Sequence, residues 1–422
     1  MGRMIALLLL VASECLAVGC ASRAACHVDA GRPATKTTFA ATVPAEGEVV
    51  SLMTGGQEEF MSLPRVVRRE RFVDADYRNA LADGKWYQRP VELTWIWGGQ
   101  DDEAMPVFTV EVKRAKDGLP VALLSSTTTN ASVDNLEIAT EYVWCVTPVL
   151  VGRKLDIVAT GRFTTADNAP RTIRIDGVAN SRDLGGRIGL GGRRVRQGLV
   201  FRTAGFNANA TPVFFTEKEL HTPGIDFSRK EKERRTDGKP PRIIKERKRG
   251  KDFITESGRR YVLGTLGVRT DIDLRSDVET AGMTGSPLGE TCRWIHVPSC
   301  CYGMMASDKG RAAFAKAFRV FLDRKNYPIA FHCIAGQDRT GAVAFILNGL
   351  LGVAEEELYR DWEASGFWNR TTKLTHASHI DKLVECFDKY EGESLNDRIF
   401  AYVKSLGFTD EDIGRFREIM LE

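Results

Sequence analysis

Two hydrophobic periods divide the chain. From about 88 to 165, apolar residues recur at every second position. Val91, Leu93, Trp95 and Trp97 alternate with Glu92, Thr94 and Ile96; Phe108, Val110 and Val112 alternate with Thr109 and Glu111; Tyr142, Trp144 and Val146 obey the same rule. A strand turns successive side chains to opposite faces, so the pattern predicts short strands with one face buried. Asn130-Ala131 and Asp134-Asn135 mark turns between them, and residues 85–168 are expected to form a small β-sandwich. After Asn168-Ala169-Pro170 the pattern changes. Apolar strands at Leu199 to Thr203, Val268 to Leu274, Trp294 to Val297 and Pro328 to His332 are interspersed with helical patterns at Ala312 to Leu322, Gly341 to Leu351, Leu374 to Phe387 and Leu395 to Leu406. Thr409, with Asp412 three residues on, approximates a capping box for a last helix. Residues 169–422 are therefore expected to be an α/β domain with a central, mostly parallel sheet flanked by helices, which makes the chain multidomain.

The N-terminal side fits neither pattern. Intermittent apolar points at Leu52, Phe60, Leu63, Val67, Phe72 and Leu81 suggest a helical segment over 46–84. Residues 20–45, rich in Ala, Thr, Pro and Gly, read as a flexible tether. Residues 1–19 have the layout of a signal peptide: Arg3, then the apolar run Ile5 to Ala12, too short to span a bilayer. Leu16-Ala17-Val18-Gly19 before Cys20 resembles the lipobox of bacterial lipoproteins, which implies lipidation on Cys20. The expectation is an extracytoplasmic protein held to a membrane only through a lipid anchor, with a secreted or periplasmic protein as the second choice.

Bulk composition adds exclusions. A net charge of +3 gives no reason to expect nucleic acid. The nine cysteines show no paired spacing and no CxxC, so neither a disulfide framework nor a metal site is expected. The adjacent Cys300 and Cys301 read either as unpaired thiols or as partners for reversible protection of Cys333. Charge is concentrated in one place: Arg229 to Lys251 hold twelve Lys or Arg against four acids. This insertion, about 226–252, is expected to be a flexible loop, with contact to anionic lipid or a polyphosphorylated substrate as its functional reading.

The chemistry centres on His332-Cys333-Ile334-Ala335-Gly336-Gln337-Asp338-Arg339-Thr340-Gly341, between an apolar strand and an apolar helix. A loop there aims backbone N–H groups and the positive end of a helix at one spot, forming an anion site from Ile334, Ala335, Gly336, Gln337, Asp338 and Arg339. Cys333 at its mouth is favoured as a thiolate. Arg339, six residues on, can reach back with a planar fork that matches two phosphate oxygens. The Thr340 hydroxyl can donate to the sulfur and improve it as a leaving group.

The loop resembles the signature of the protein tyrosine phosphatase superfamily, in the form seen in atypical bacterial tyrosine and phosphoinositide phosphatases. Asn180-Ser181-Arg182-Asp183-Leu184-Gly185-Gly186, Phe201-Arg202-Thr203-Ala204 and Gly267-Val268-Arg269-Thr270-Asp271-Ile272-Asp273-Leu274-Arg275-Ser276, followed by Glu279, are similar to that family's other segments. The resemblance implies a two-step reaction without metal or other cofactor, in which Cys333 attacks phosphorus and water releases the phosphate. It assigns the general acid to Asp338; Asp308, whose place suits a helix N-cap, is the rival. His332, Asp273 and Arg182 are possible supporting residues, Asp273 equally as an arginine's partner. Many relatives have Lys where this chain has Gln337, which favours a phosphorylated protein or small phosphomonoester over phosphoinositides or inositol phosphates. A module that binds phosphorylated ligands without turnover is the reading from another class.

A second resemblance lies upstream. Leu136-Glu137-Ile138-Ala139-Thr140-Glu141-Tyr142-Val143-Trp144 resembles the fibronectin type III signature, in which a tyrosine closes the corner before a core strand, and Gly161-Arg162-Phe163-Thr164-Thr165 looks like that domain's last strand. Trp95, Trp97 and Trp144 are read as core rather than as a carbohydrate platform.

Overall fold

A computed structural model describes residues 39–71, 74, 87–98, 105–150, 153–207, 210–214, 232–233, 242–246, 254–280, 283–368 and 374–422. The segment read as a signal peptide, Cys20 and much of the expected tether lie outside the described residues. The described residues from 39 to 97 and from 105 to 422 fall in one compact unit.

The period-two region forms β3 (Val91–Trp97), β4 (Val107–Arg114), β5 (Pro120–Ser126), β6 (Asn130–Val133), β7 (Glu141–Leu150), β8 (Arg153–Lys154) and β9 (Ala159–Thr165), preceded by β1 (Phe39–Val43) and β2 (Glu48–Val50). One sheet runs β1-β3-β6; the other runs β2-β9-β7-β4-β5, with β8 paired to β7. Their inward residues share one hydrophobic cluster: Val91, Leu93 and Trp95 from the first sheet, Phe108, Val110, Val112, Tyr142, Trp144, Val146 and Phe163 from the second. Trp95 and Trp144 are buried core, and the Tyr142 hydroxyl accepts the Glu137 N–H at 2.8 Å.

Two expectations need correction here. Phe39–Val43 is a strand, not tether, and Glu48–Val50 is a strand inside the segment read as helical; among the described residues of that segment the helices are α1 (Gly55–Ser62) and α2 (Arg65–Arg71). The physical reason is tertiary. β1 pairs antiparallel with β3, and Phe39 sets its ring against Trp97 at 5.3 Å, so a weakly patterned segment gains its strand from its partner.

The α/β part contains β10 (Arg182–Asp183), β11 (Val200–Thr203), β12 (Ala210–Phe214), β13 (Lys232–Glu233), β14 (Arg242–Glu246), α3 (Glu256–Arg260), β15 (Thr270–Asp273), β16 (Arg293–His296), α4 (Asp308–Phe321), β17 (Ile329–His332), α5 (Arg339–Leu350), α6 (Glu355–Glu363), α7 (Leu374–Val384), α8 (Leu395–Lys404) and α9 (Asp410–Met420). The main sheet has the order β10-β11-β17-β15-β16; β10 is antiparallel to β11 and the other pairings are parallel. Both faces are covered, as a parallel sheet requires. Val200, Ile329 and Phe331 join one cluster with residues of α4, α5, α6, α8 and α9, whereas Phe201 and Ala330 join a second with Val262 and Leu288. β17 is therefore central, and the segment that follows it emerges at the middle of the sheet. The basic insertion is also corrected: within it, β13 and β14 are paired strands of the sheet β12-β14-β13. Backbone pairing satisfies N–H and C=O groups without an apolar core, so the charge run did not announce it.

Candidate active site

Residues 333–338 connect β17 to α5, and their carbonyls are fastened to the scaffold one after another. Ile334 O accepts the Gly205 N–H at 2.9 Å, Ala335 O accepts Asn180 Nδ2 at 2.9 Å, and Gly336 O accepts an Arg202 N–H at 2.8 Å. Gln337 O and Asp338 O accept the Gly341 and Ala342 N–H groups of the first helical turn. In a trans peptide the C=O and the following N–H point in opposite directions. Holding these five carbonyls outward turns the N–H groups of residues 335–339 toward the other side, which is the arrangement that receives an anion. Gly336 is required: its φ is +65°, and a Cβ there would lie 2.4 Å from Thr203 O. A Cβ at Gly341 would meet Trp362 of α6 at 2.8 Å, so this glycine admits an indole more than it admits the sheet.

Cys333 is 2% exposed at the start of this loop. Burial works against its thiolate, but the Arg339 guanidinium and the hydroxyl and amide of Thr340 outweigh it and hold its pKa below the ordinary thiol value. Arg339 is partly buried and forks onto Glu279 at 2.6 and 3.1 Å. Glu279 in turn accepts the Ser276 amide and hydroxyl at 2.7 and 2.8 Å. Ile334, also in the loop, is 42% exposed. Gln337 is buried, and Asp338 occupies the N-cap position of α5 without capping it, accepting a hydrogen bond from the Tyr302 hydroxyl instead. Asp308 is exposed as the first residue of α4; the cap is Ser307, which corrects the N-cap expectation for Asp308.

The supporting candidates sit behind the loop. His332 Nε2 lies 3.0 Å from Asp271 Oδ1, and its Nδ1 lies 3.1 Å from Cys333 O and 3.9 Å from Asp273 Oδ1. Burial disfavours the imidazolium, yet Asp273 and Asp271 raise its pKa. Asp273 pairs with Arg275 at 2.6 Å. Against the cost of burial, His332 and Arg275 bring Asp273 down to about 2. Arg182 supports the loop at one remove: its donors go to Asp361, Asn180 and Ser365.

Asp361, Asn180, Arg202 and Tyr302 carried no assigned role in the sequence. Asp361 is buried and accepts from Arg182 at 3.2 Å, Arg187 at 3.1 Å and Arg202. Burial opposes its charge, but these three guanidinium groups hold its pKa far below the usual carboxylate range. Arg202 thus bridges Asp361 to the carbonyl of Gly336. The available signal was α6 itself, whose acidic first turn, Glu355 to Glu357, precedes buried Leu358 and Trp362. Cys300, Cys301 and Cys333 are all free thiols.

A loop that joins a central parallel strand to a helix, with Cys333 close enough to the Arg339 guanidinium to feel its charge, fits a phosphatase-type site. Residues 173–422 match the model of the tyrosine phosphatase family, more than half of the 422 residues, and the chain belongs to that family. It is similar to a protein of Cupriavidus necator named "Putative tyrosine-protein phosphatase", with 26% identity over 217 residues, 45% of this chain and 61% of that protein. The chain thus spans about three-fifths of the length of that relative.

Proposed function

We propose that the chain hydrolyses phosphate monoesters through a cysteinyl-phosphate. The Cys333 thiolate attacks phosphorus while the P–O bond to the leaving group breaks, and Asp338 gives its proton to the departing oxygen. Water then attacks the phosphorus; Asp338 takes a proton from it, the S–P bond breaks, and orthophosphate leaves. Arg339 balances the charge spread over the equatorial oxygens, and Thr340 donates to the sulfur as it departs. The observation that carries this reading is the geometry of the loop: Cys333 stands at its start, and the scaffold takes up the carbonyls of Ile334 to Asp338 in turn. Gln337 brings no charge to the floor of the site, so the substrate class is phosphotyrosine or another single phosphomonoester. The two N-terminal sheets are read as a fibronectin type III-like module, supported by the Tyr142 corner. The N-terminal segment is read as a lipoprotein signal, with the mature chain anchored outside the cytoplasm through Cys20.

The test is hydrolysis of p-nitrophenyl phosphate by the purified chain in EDTA with a thiol reductant. Cys333→Ser and Arg339→Ala should each abolish nearly all turnover, and acid quench should trap phosphate on Cys333. Turnover retained by Cys333→Ser overturns the mechanism. Capture of a phosphopeptide without phosphate release would establish the binding-module reading instead.

A further inference from the structure

We infer that Asn180 is a positioning residue for the loop after β17, holding the peptide group between Ala335 and Gly336 with its N–H toward the phosphate; the inference rests on the proposed reading of that loop as the phosphate site. Asn180 lies 155 positions before Ala335, outside the loop. The chain is anchored on both sides of it: Ala179 O accepts the Ala204 N–H at 2.9 Å, and Ser181 O accepts the Ile173 N–H at 2.8 Å. Between those anchors Asn180 is buried with φ +52°. Asparagine tolerates this left-handed conformation better than most residues, and it persists only where surrounding contacts impose it.

The side chain is engaged at both ends. Nδ2 donates to Ala335 O at 2.9 Å and lies 3.4 Å from Ser365 Oγ, while Oδ1 accepts from Arg182, whose Nε reaches Asp361 at 3.2 Å. A guanidinium only donates and a carbonyl oxygen only accepts, so the amide fits this slot one way round and a carboxylate does not replace it. The loop needs such a hold at this peptide. Gly336 makes the tight turn possible at φ +65°, but glycine takes either sign of φ with similar ease, so it does not itself stop the preceding peptide group from turning over. Turned over, that trans peptide would set the Ala335 carbonyl oxygen where the Gly336 N–H now faces, an acceptor in place of a donor at an anion site. Arg202 holds the next carbonyl, that of Gly336, and is itself bonded to Asp361. Two successive peptide groups are thus tied to one buried carboxylate, one through Arg202 and the other through Arg182 and Asn180.

The experiment measures orthophosphate as a competitive inhibitor of p-nitrophenyl phosphate hydrolysis by the full chain and by its N180G and N180D variants, with thermal unfolding alongside. N180G removes the donor and accepts the φ of +52° without a Cβ. N180D keeps the size and the acceptor for Arg182 but turns an oxygen on the Ala335 carbonyl. Each should raise the Ki for orthophosphate by about 10- to 100-fold, the worth of one hydrogen bond to a charged group. The loss in kcat/KM should be of similar size on phenyl phosphate and 2,4-dinitrophenyl phosphate, because the displaced N–H serves the phosphate and not the departing oxygen. A role confined to stability would lower Tm and leave the Ki of the folded protein where it was. A Ki within about threefold of wild type in a folded variant overturns the inference. Should N180G fail to fold, N180D, which has the shape of the native side chain, reads the same Ki. Failure of orthophosphate to inhibit the wild type competitively removes the reading of the loop itself, whereas inhibition of the wild type with unmoved variants overturns this inference alone.

Discussion

Replacing Gly336 with alanine should cost about 100-fold in kcat/KM while leaving a folded protein. The magnitude follows from contacts already described. The new Cβ would stand 2.4 Å from Thr203 O, 2.5 Å from Thr203 C and 2.7 Å from Ala204 N, where ordinary contact begins at 3.4 Å. Something must give by about 1 Å, and the neighbours are backbone. Thr203 is registered against His332 in the parallel ladder, and Ala204 N–H is bonded to Ala179 O at 2.9 Å. The loop has to yield, because it is joined to the scaffold by single hydrogen bonds. A shift of about 1 Å in a catalytic loop is worth about two orders of magnitude in rate. The alanine must also hold a φ of +65°, at about 1–2 kcal/mol. Steady-state hydrolysis of p-nitrophenyl phosphate gives the rate, and thermal unfolding reports whether the fold survives. Gly285→Ala, where nothing lies within 4 Å, is the control and should keep its rate within about twofold. A G336A variant retaining more than a third of wild-type kcat/KM would show that the loop accommodates the added methyl group without displacement.

Other perturbations act on the scaffold. Asp361→Asn leaves three buried arginines short of a counter-charge and should cost about 3–5 kcal/mol in urea unfolding; a loss below about 1 kcal/mol would show that Arg182, Arg187 and Arg202 do not depend on it. Asp273 is held at about 2 against an ordinary aspartate value of 3.8, so its contribution is present above pH 3.8 and lost as pH falls toward 2. Stability measured from pH 5 to pH 2 should therefore fall more steeply in wild type than in Asp273→Asn, by about 2 kcal/mol over the range, and parallel curves would contradict the linkage. Gly414, inside α9 with nothing within 4 Å of a built Cβ, should gain about 0.5–1 kcal/mol on replacement by alanine, read as a rise in Tm; a fall would mean that the site is not open.

What was legible in the sequence is what depends on local pattern. Val91, Leu93 and Trp95 alternate with Glu92 because one face of β3 meets the core, and burial follows that alternation residue by residue. The capping box at Thr409 forms as read, since the hydroxyl, the Asp412 carboxylate and their amides are all within one turn. The loop after β17 was legible because its glycines, cysteine and arginine have fixed spacing. What was not legible depends on partners distant in sequence. β1 is a strand because β3 offers it an edge. Tyr302 meets Asp338 across 36 positions, and Arg202 meets Asp361 across 159. No window along the chain contains both members of such a pair.

Partners distant in sequence also decide where one domain stops and the next starts. The period change near residue 168 is real in the pattern, yet interactions cross it densely. Arg171 donates to Leu136 O at 3.0 Å and to Asn135 O at 2.8 Å, and Gln197 exchanges two hydrogen bonds with the backbone of Ile138. Arg68 of α2 is wholly buried against Glu356 and Glu363 of α6 at 2.6 and 2.5 Å. Glu363 stands two residues beyond Asp361, the carboxylate that gathers the arginines behind the phosphate-type loop. A buried ion pair contributes little in itself, but breaking one strands the remaining charge in a medium that cannot solvate it. Removing the N-terminal helices would therefore leave Glu363 without its partner on the helix that braces the candidate active site. Residue 168 marks a change in how the chain is patterned, while the energetic unit extends back at least to α2.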